Sequence, residues 1–267
     1  MYLIFTDLDG TLLDFDTYSF DRAAEILSLI RQQNIPLIAV TSKTFAEVQQ
    51  IMKDMDICHP IIVENGGGIF FPETYPGEYP RTQMENGYFA VPVAQPGLKP
   101  IDVLDAIRTK TGLSLKGMSD MSVEDLVSFT GLSVEMAEKA RHRHFSEPFI
   151  IPDSKSDIEE IIKISNIYNY KIVIGGRFAH LIPEYSGKDK AVKFLIGFYH
   201  KLFSGLPVIS VGLGDSPNDF DFLSIVDISI LIRKKGQIPP YAGEKWIISQ
   251  KSGVDGWAEE VTKIIRP

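Results

Sequence analysis

The 267-residue sequence has little cysteine and no long apolar run, and both absences narrow the class of protein. Its single cysteine, Cys58, excludes an intramolecular disulfide and favours a reducing compartment, so we expect a cytoplasmic protein in which this thiol fills a core. No apolar stretch approaches the ~18 residues of a membrane span and no secretory signal is evident, which predicts no membrane partner. The formal net charge of −8 argues against nucleic-acid binding.

The most informative motif is a pair of aspartates, Asp7 and Asp9, just after a predicted strand. Residues 2–5 form the continuous apolar run seen when helices cover both faces of a parallel strand. Side chains alternate along a strand, so the two carboxylates should share one side, where they repel unless a cation or a shared proton lies between them. Mg²⁺, which prefers oxygen ligands, would relieve that repulsion. From this motif alone, a simple strand-terminating turn remains the alternative.

A second acidic motif favours a functional site over a turn. Residues 207–213 predict another buried strand, which leads into Asp215, Asn218 and Asp219. In open α/β sheets, ligands bind at the carboxyl ends of the strands. The Gly-x-Gly of this segment is not a dinucleotide fingerprint, because Pro217 stands where the third glycine would.

Two further motifs supply hydroxyl and ammonium groups. A predicted strand over residues 35–40 leads into the segment 41–44, whose hydroxyls and backbone N–H groups ahead of a helix suit an anion, although Ser and Thr are also ordinary N-caps. Lys188 precedes a helix predicted from about residue 191 to 203. A lysine at that end gains nothing from the helix dipole, which favours a role in neutralising phosphate or the aspartates.

These four motifs resemble, in kind and order, those of the haloacid dehalogenase superfamily of phosphatases. The matching residues are Asp7, Asp9, Thr41, Lys188, Asp215 and Asp219. The resemblance implies that Asp7 attacks phosphorus to form an aspartyl phosphate. It implies that Asp9 protonates the leaving alcohol and then activates water.

The resemblance also implies which groups stabilise charge. Thr41 would hydrogen-bond the transferring phosphoryl group, and Lys188 would offset its charge. The expected cofactor is Mg²⁺. Its ligands would be Asp7, the main-chain carbonyl of Asp9, Asp215 and, directly or through water, Asp219.

The order of predicted elements divides the chain into a core and an insertion. A Pro/Gly-rich stretch after a predicted strand at residues 60–63 marks the first boundary. We predict an α/β fold in which residues 1–82 and 184–267 form a Rossmann-like three-layer αβα core and residues 83–183 form an inserted α+β cap. Cap helices are predicted near 100–111, 122–129, 133–144 and 156–165, and cap strands near 87–93, 171–175 and 178–182. The insertion resembles the large type IIB cap of the Cof-like branch.

Two cap segments, residues 143–149 and 175–180, together with the core segments 41–44 and Glu64-Asn65-Gly66, extend the resemblance to the mannosyl-3-phosphoglycerate phosphatases of that branch. Such a substrate carries a phosphate, a carboxylate and a sugar, so the cap should supply cations and hydrogen-bond donors. The candidate substrate-binding residues are Arg143, Ser146, Arg177 and His180 in the cap and Ser42, Lys43, Asn65 and Gly66 in the core. Two glycines before Arg177 would bring backbone close to a ligand. A solvated arginine and a structural histidine are the alternatives.

The sequence thus predicts a Mg²⁺-dependent phosphatase of a small phosphorylated sugar. The resemblance implies hydrolysis of mannosyl-3-phosphoglycerate to mannosylglycerate, a compatible solute. The alternatives are a phosphatase of glucosyl-3-phosphoglycerate or another sugar phosphate, a sugar phosphomutase on the same core, and a non-catalytic phosphosugar-binding protein. The sequence does not determine the oligomeric state.

Overall fold

The computed structural model describes residues 1–81, 83–95, 97–152, 154–175, 177–234 and 245–266. Its strands are β1 (Tyr2–Thr6), β2 (Leu37–Ala39), β3 (Ile61–Val63), β4 (Gly68–Pro72), β5 (Gln83–Glu85), β6 (Tyr88–Pro92), β7 (Glu147–Ile150), β8 (Tyr170–Ile174), β9 (Phe178–Pro183), β10 (Ile209–Gly214), β11 (Ile228–Arg233) and β12 (Ile247–Ser252). Its α-helices are α1 (Ala24–Gln32), α2 (Phe45–Asp54), α3 (Pro100–Thr111), α4 (Val123–Thr130), α5 (Val134–Arg141), α6 (Lys155–Ile167), α7 (Lys188–Leu202), α8 (Phe220–Leu223) and α9 (Gly253–Ile265). None of the described helices is long and apolar enough to cross a membrane.

A five-stranded parallel sheet forms the centre of the core, in the order β12-β11-β10-β1-β2. Alternating side chains of β1 enter two separate apolar clusters. Leu3 and Phe5 pack with α7 and α8, whereas Ile4 packs with α1 and α9. Helices therefore cover both faces of the sheet, as the apolar run in β1 predicts. Because β1 lies beside β10, the two acidic motifs leave adjacent strands at the same edge of the sheet.

A second, antiparallel sheet continues from the core. Val40, just after β2, forms a parallel bridge with Ile62 of β3, and the order β3-β4-β6-β5 follows. The boundary predicted at residues 82/83 falls within this sheet, next to Thr82, which lies outside the described residues. We propose instead that the cap begins after Pro92, the last residue of β6. Alternating polarity identifies β6 as a strand, but it does not show which strand will pair with it.

The cap contains a three-stranded antiparallel sheet, in the order β7-β9-β8, with helices on its faces. Leu181 of β9 packs with α3 and α6, whereas Phe178 packs with α4 and α5. Side chains alternate along a strand, so His180 shares the face of Phe178. The helix predicted at 133–144 ends at Arg141, because the segment that follows turns to contact the core.

Cys58 is exposed, so the prediction that its thiol fills a core is wrong. The preceding residue, Ile57, is buried instead. This short connection between α2 and β3 includes a left-handed turn at Asp56 (φ 54°), and Met55 and Ile57 are the side chains that it buries.

Candidate active site

Asp7 lies at the end of β1 and is fixed through its main chain. Its N–H donates to a carbonyl at the end of β10 (2.9 Å). Trp257 of α9 donates its indole N–H to Thr6 Oγ1 (3.0 Å), and that hydroxyl donates to the Asp7 carbonyl (2.7 Å). The chain then turns at Gly10 (φ 77°), where an added Cβ would lie 2.6 Å from Asp215 Oδ2. Glycine is therefore required at this turn if the two acidic motifs are to approach each other.

Lys188 links the acidic motifs from the first turn of α7. Its Nζ donates to Asp7 Oδ1 (2.8 Å) and to Asp219 Oδ1 (2.6 Å). The helix begins at Lys188, three residues before its predicted start, with Gly187 as its N-cap. Burial lowers the pKa of Lys188, but Asp219 and Asp7 together raise it above its usual value. The side chain is therefore a buried cation between two carboxylates.

The acidic cluster has the composition of a divalent metal site. Asp7, Asp215 and Asp219 each offer a carboxylate oxygen, and these oxygens lie within 4.8 Å of one another. Asp219 Oδ2 accepts the backbone N–H groups of Asp215 (3.0 Å) and Ser216 (3.1 Å), which fixes its orientation. Burial, and then repulsion from Asp219, raises the pKa of both Asp7 and Asp215. The cluster is thus short of positive charge, and its hard oxygen donors fit a cation such as Mg²⁺.

The segment after β2 places Thr41 beside these strand ends. Thr41 is almost fully buried, and its hydroxyl accepts the backbone N–H of Lys43 (3.1 Å). Thr44, not Thr41, caps α2, since its hydroxyl accepts the N–H of Glu47 and the Glu47 carboxylate accepts the N–H of Thr44. Helix capping therefore explains the hydroxyl of Thr44 but not the hydroxyl of Thr41.

A cavity of about 500 Å³ joins the strand ends to the cap. Among the predicted site residues, its wall includes Asp7, Asp9, Ser42, Lys43, Asn65, Arg143, Arg177, His180 and Asp215. Phe15 and Tyr18, from the loop that follows the first acidic motif, also line it and were not predicted. The core residues and the cap residues therefore face a common space, although they lie far apart in the chain.

Lys43 contacts Asp9 directly. Its Nζ lies 3.0 Å from Asp9 Oδ2 and 3.9 Å from Glu47 Oε1, and the ring of Tyr18 lies 4.9 Å from the ammonium. Burial lowers the pKa of Lys43, but the Asp9 and Glu47 carboxylates raise it above its usual value. One oxygen of Asp9 is thus held by a cation at the wall of the cavity.

Several buried polar atoms in the cavity wall have no hydrogen-bond partner among the described residues. They are Asp9 Oδ1, both polar atoms of the Asn65 side chain, and His180 Nδ1. A buried polar atom without a partner costs about 1–3 kcal/mol, so such atoms are rare unless something else satisfies them. Their concentration in one cavity indicates a binding site for a polar ligand.

The remaining predicted substrate-binding residues differ in what they contact. Arg143 donates to the Ser42 carbonyl (2.8 Å) and to Ser146 Oγ (3.0 Å), and the Ser146 hydroxyl donates to Glu64 (2.7 Å). The Ser146 hydroxyl is thus used in a contact between cap and core. Arg177 donates to the Thr130 carbonyl at the cavity wall.

Gly66 has a left-handed φ of 81° and packs closely against Gly187, whose N–H donates to its carbonyl (3.3 Å). This contact brings the turn that carries Asn65 against the start of α7. Of the two glycines that precede Arg177, Gly176 lies outside the described residues.

His180 should make the stability of the protein depend on pH. Burial, Arg143 and Lys188 lower its pKa from 6.5 to about 3. Between these values the unfolded chain binds a proton that the folded protein does not, so stability falls as pH drops below about 6.5. We expect the free energy of unfolding to fall by about 2 kcal/mol between pH 7 and pH 5 because of this residue, and His180→Gln to abolish that fall. Denaturant unfolding at both pH values tests this.

A residual slope is expected in the variant, because burial also lowers the pKa of His59, to about 4. An unchanged dependence on pH in His180→Gln would contradict the assignment.

Comparison with known proteins agrees with the motifs. Residues 4–79 match the family of haloacid dehalogenase-like hydrolases. The chain is 40% identical, over 98% of its length and 97% of the relative's, to a glucosyl-3-phosphoglycerate/mannosyl-3-phosphoglycerate phosphatase of Persephonella marina. It is 36% identical to a protein of the same name from Methanococcoides burtonii, over 87% of this chain and 85% of that one.

A solved structure supports the fold. The structure of a sugar phosphatase of haloacid dehalogenase subclass IIB has a TM-score of 0.66 at 16% identity, covering 99% of each chain. Its subclass agrees with the type of cap that the sequence predicts. The acidic cluster and the buried lysine agree with these relatives. The chain belongs to the haloacid dehalogenase superfamily and is a phosphoric monoester hydrolase.

Proposed function

We propose that this protein is a Mg²⁺-dependent phosphatase that hydrolyses mannosyl-3-phosphoglycerate, and its glucosyl counterpart, to the glycosylglycerate and phosphate. The observation that carries the proposal is the cavity that Asp7 and Asp9 share with two cap arginines and with the unpartnered polar atoms of Asn65, from the core, and His180, from the cap. The two relatives, at 36% and 40% identity, are named for both sugars, which supports a phosphoglycerate linked to a sugar as the substrate. As its compartment we propose the cytoplasm.

In this proposal Asp7 is the nucleophile. Lys188 holds Asp7 Oδ1 (2.8 Å), so Oδ2 is the oxygen that we propose attacks phosphorus to give an aspartyl phosphate. Lys43 holds Asp9 Oδ2 (3.0 Å), whereas Asp9 Oδ1 has no partner among the described residues. We propose that Oδ1 gives its proton to the departing glycerate oxygen and later takes one from the attacking water.

Negative charge on the transferring phosphoryl group is stabilised by a cation and a hydrogen-bond donor that are fixed at the strand ends. Lys188 supplies a buried ammonium, and Thr41 supplies a hydroxyl. Both are already in place before substrate binds, so little reorganisation is needed during the reaction. Mg²⁺, when bound, would be held by Asp7, the Asp9 carbonyl, Asp215 and Asp219 and would supply further positive charge to the phosphoryl oxygens.

The cap, together with the turn after β3 that carries Asn65, provides the rest of the recognition. Arg143 and Arg177 line the cavity and suit the glycerate carboxylate, since a guanidinium can bind a carboxylate through two hydrogen bonds. The unpartnered atoms of Asn65 and His180 suit sugar hydroxyls, which both donate and accept. A substrate of this kind would satisfy polar atoms that otherwise stay unpaired.

The direct test is phosphate release from mannosyl-3-phosphoglycerate in the presence of Mg²⁺, with the organic product identified. The proposal predicts equal amounts of free phosphate and mannosylglycerate. An isomerised sugar phosphate without free phosphate would instead indicate a phosphomutase. Binding of the substrate by the Mg²⁺-saturated protein without any turnover would indicate a non-catalytic phosphosugar-binding protein.

Removing the metal should abolish activity but leave the protein folded. Chelation is expected to lower phosphate release at least about 100-fold, because the acidic cluster then lacks positive charge. Since Lys188 still pairs with Asp7 and Asp219, far-UV circular dichroism should not change.

Restoring Mg²⁺ at about a hundredfold excess over its Kd should stabilise the protein by about 2.7 kcal/mol in denaturant unfolding. Full activity in the presence of chelator would contradict the proposed cofactor.

A further inference from the structure

Glu64 is a fully buried carboxylate that belongs to the core but is satisfied by the cap. Its Oε1 accepts the backbone N–H of His144 (2.8 Å), and its Oε2 accepts the N–H of Phe145 (3.0 Å) and the hydroxyl of Ser146 (2.7 Å). The guanidinium of Arg143 lies 3.6 Å from Oε2. Four consecutive cap residues thus converge on one core side chain, about 80 positions away in sequence.

The backbone at Glu64 is held in an uncommon conformation. Glu64 and Asn65 both have left-handed φ angles (50° and 57°), which non-glycine residues adopt at a conformational cost. Such a turn persists where the surrounding structure determines it. Here the turn directs Glu64 at the cap segment and places Asn65 in the wall of the cavity.

Packing reinforces the same junction. The side chain of Phe145 packs against Gly67 and Gly68, where a Cβ at either glycine would collide with it. Nearby, Thr44 donates its hydroxyl to the Lys139 carbonyl (2.9 Å). The contacts at Glu64 are therefore part of one close junction between the cap and the core.

This junction connects to the cap residues that face the active site. Arg143, in the docked segment, lines the cavity. Ser146 leads into β7, whose Pro148 pairs with His180 of β9. A displacement of residues 143–146 would move Arg143 directly and His180 through the sheet.

We propose that Glu64 is a positioning residue: by binding residues 143–146 it fixes the cap so that Arg143 and His180 are placed over the Asp7 site. Glu64 need not touch the substrate itself. Removing its charge should therefore impair substrates that extend into the cap much more than small substrates that need only the core. The choice of the large substrate rests on the proposed function.

The test compares Mg²⁺-loaded wild type and Glu64→Gln on two substrates, mannosyl-3-phosphoglycerate and p-nitrophenyl phosphate. The carboxamide offers one acceptor oxygen, and its NH₂ group meets N–H donors, so the junction loses hydrogen bonds without a change in size. We expect kcat/KM to fall about 100-fold for the sugar substrate, because a small misplacement can have such an effect, and by less than about threefold for the aryl phosphate. Hydrogen exchange should accelerate at the amides of His144 and Phe145.

Glu147→Gln is a matched control. Glu147 is also a buried carboxylate that accepts a backbone N–H and a serine hydroxyl, both from Ser119 (2.9 Å each), but that contact lies wholly within the cap. We expect it to lower thermal stability and leave the ratio of the two kcat/KM values unchanged. Using a ratio removes the effect of any unfolded fraction. If Glu64→Gln does not fold, Ser146→Ala removes one donor from the other side and should lower the ratio about fivefold.

Equal losses on both substrates in Glu64→Gln, or no loss on either, would overturn the proposal. So would the same change of ratio in Glu147→Gln, because it would indicate general weakening of the cap. If wild type hydrolyses the aryl phosphate but not mannosyl-3-phosphoglycerate, the proposed substrate fails, and mannose 6-phosphate then serves as the cap-reaching substrate in the same comparison.

Discussion

Asp7→Asn should lower phosphate release at least about 10⁴-fold, because the amide cannot act as a nucleophile toward phosphorus. The loss should come from chemistry rather than from misfolding. The carboxamide would retain an oxygen that can accept from Lys188, in the position where Asp7 Oδ1 lies 2.8 Å from Nζ. Phosphate release under saturating substrate and Mg²⁺ measures the effect.

The stability of Asp7→Asn provides the control. Burial and the carboxylates of Asp219 and Asp215 raise the pKa of Asp7, which means that its charge is disfavoured in the metal-free protein. Removing that charge should therefore leave the melting temperature of the metal-free protein unchanged or raise it. Retention of a tenth or more of wild-type activity would exclude Asp7 as the nucleophile.

Lys188→Met should affect both activity and stability. Without the ammonium, the carboxylates of Asp7 and Asp219 are left buried without their common partner. We expect the metal-free protein to lose about 3–5 kcal/mol of stability in denaturant unfolding at pH 7. Phosphate release should fall about 10³-fold, as expected when a preorganised charge at the reacting group is lost.

The double variant Lys188→Met/Asp219→Asn separates the effect on stability from the effect on activity. Adding Asp219→Asn to Lys188→Met removes one of the uncompensated charges and should restore about 1–3 kcal/mol of stability. It should not restore activity, since the missing ammonium is still absent from the phosphoryl site. If the double variant is no more stable than Lys188→Met, the pairing of Lys188 with Asp219 (2.6 Å) does not contribute as we describe.

The acidic residues at the strand ends can be predicted because each is identified by the residues next to it in the sequence. Asp7 and Asp215 each follow an apolar run that is long enough to identify a buried parallel strand. Strands of that kind end at a common edge, so the fold class places both aspartates at the same edge of the sheet, and the pairing of β1 with β10 in the structure makes them neighbours. The position of Lys188 at the start of a helix is likewise visible from the residues around it.

What the sequence does not reveal is long-range contact. The sequence gives no sign of the role of Glu64, because its partners lie about 80 residues away and nothing near it indicates that a cap segment will bind it. Phe15 is polar-flanked and 65% exposed, so no periodic pattern marks it as part of a cavity. The sequence also does not show that β6 pairs with β4 rather than with a cap strand. Alternating polarity indicates which side chains share a face of a strand, but it does not indicate which strand lies beside it.

The most direct test of the central claim is a comparison of kcat/KM for mannosyl-3-phosphoglycerate and for mannose 6-phosphate, measured with Mg²⁺ on the same wild-type preparation. The two share a phosphate and a mannose, but only the first presents the glycerate carboxylate to Arg143 and Arg177. The account predicts a preference of at least about 100-fold for mannosyl-3-phosphoglycerate. Equal or better hydrolysis of mannose 6-phosphate would contradict it and leave a sugar phosphatase whose cap recognises a different group.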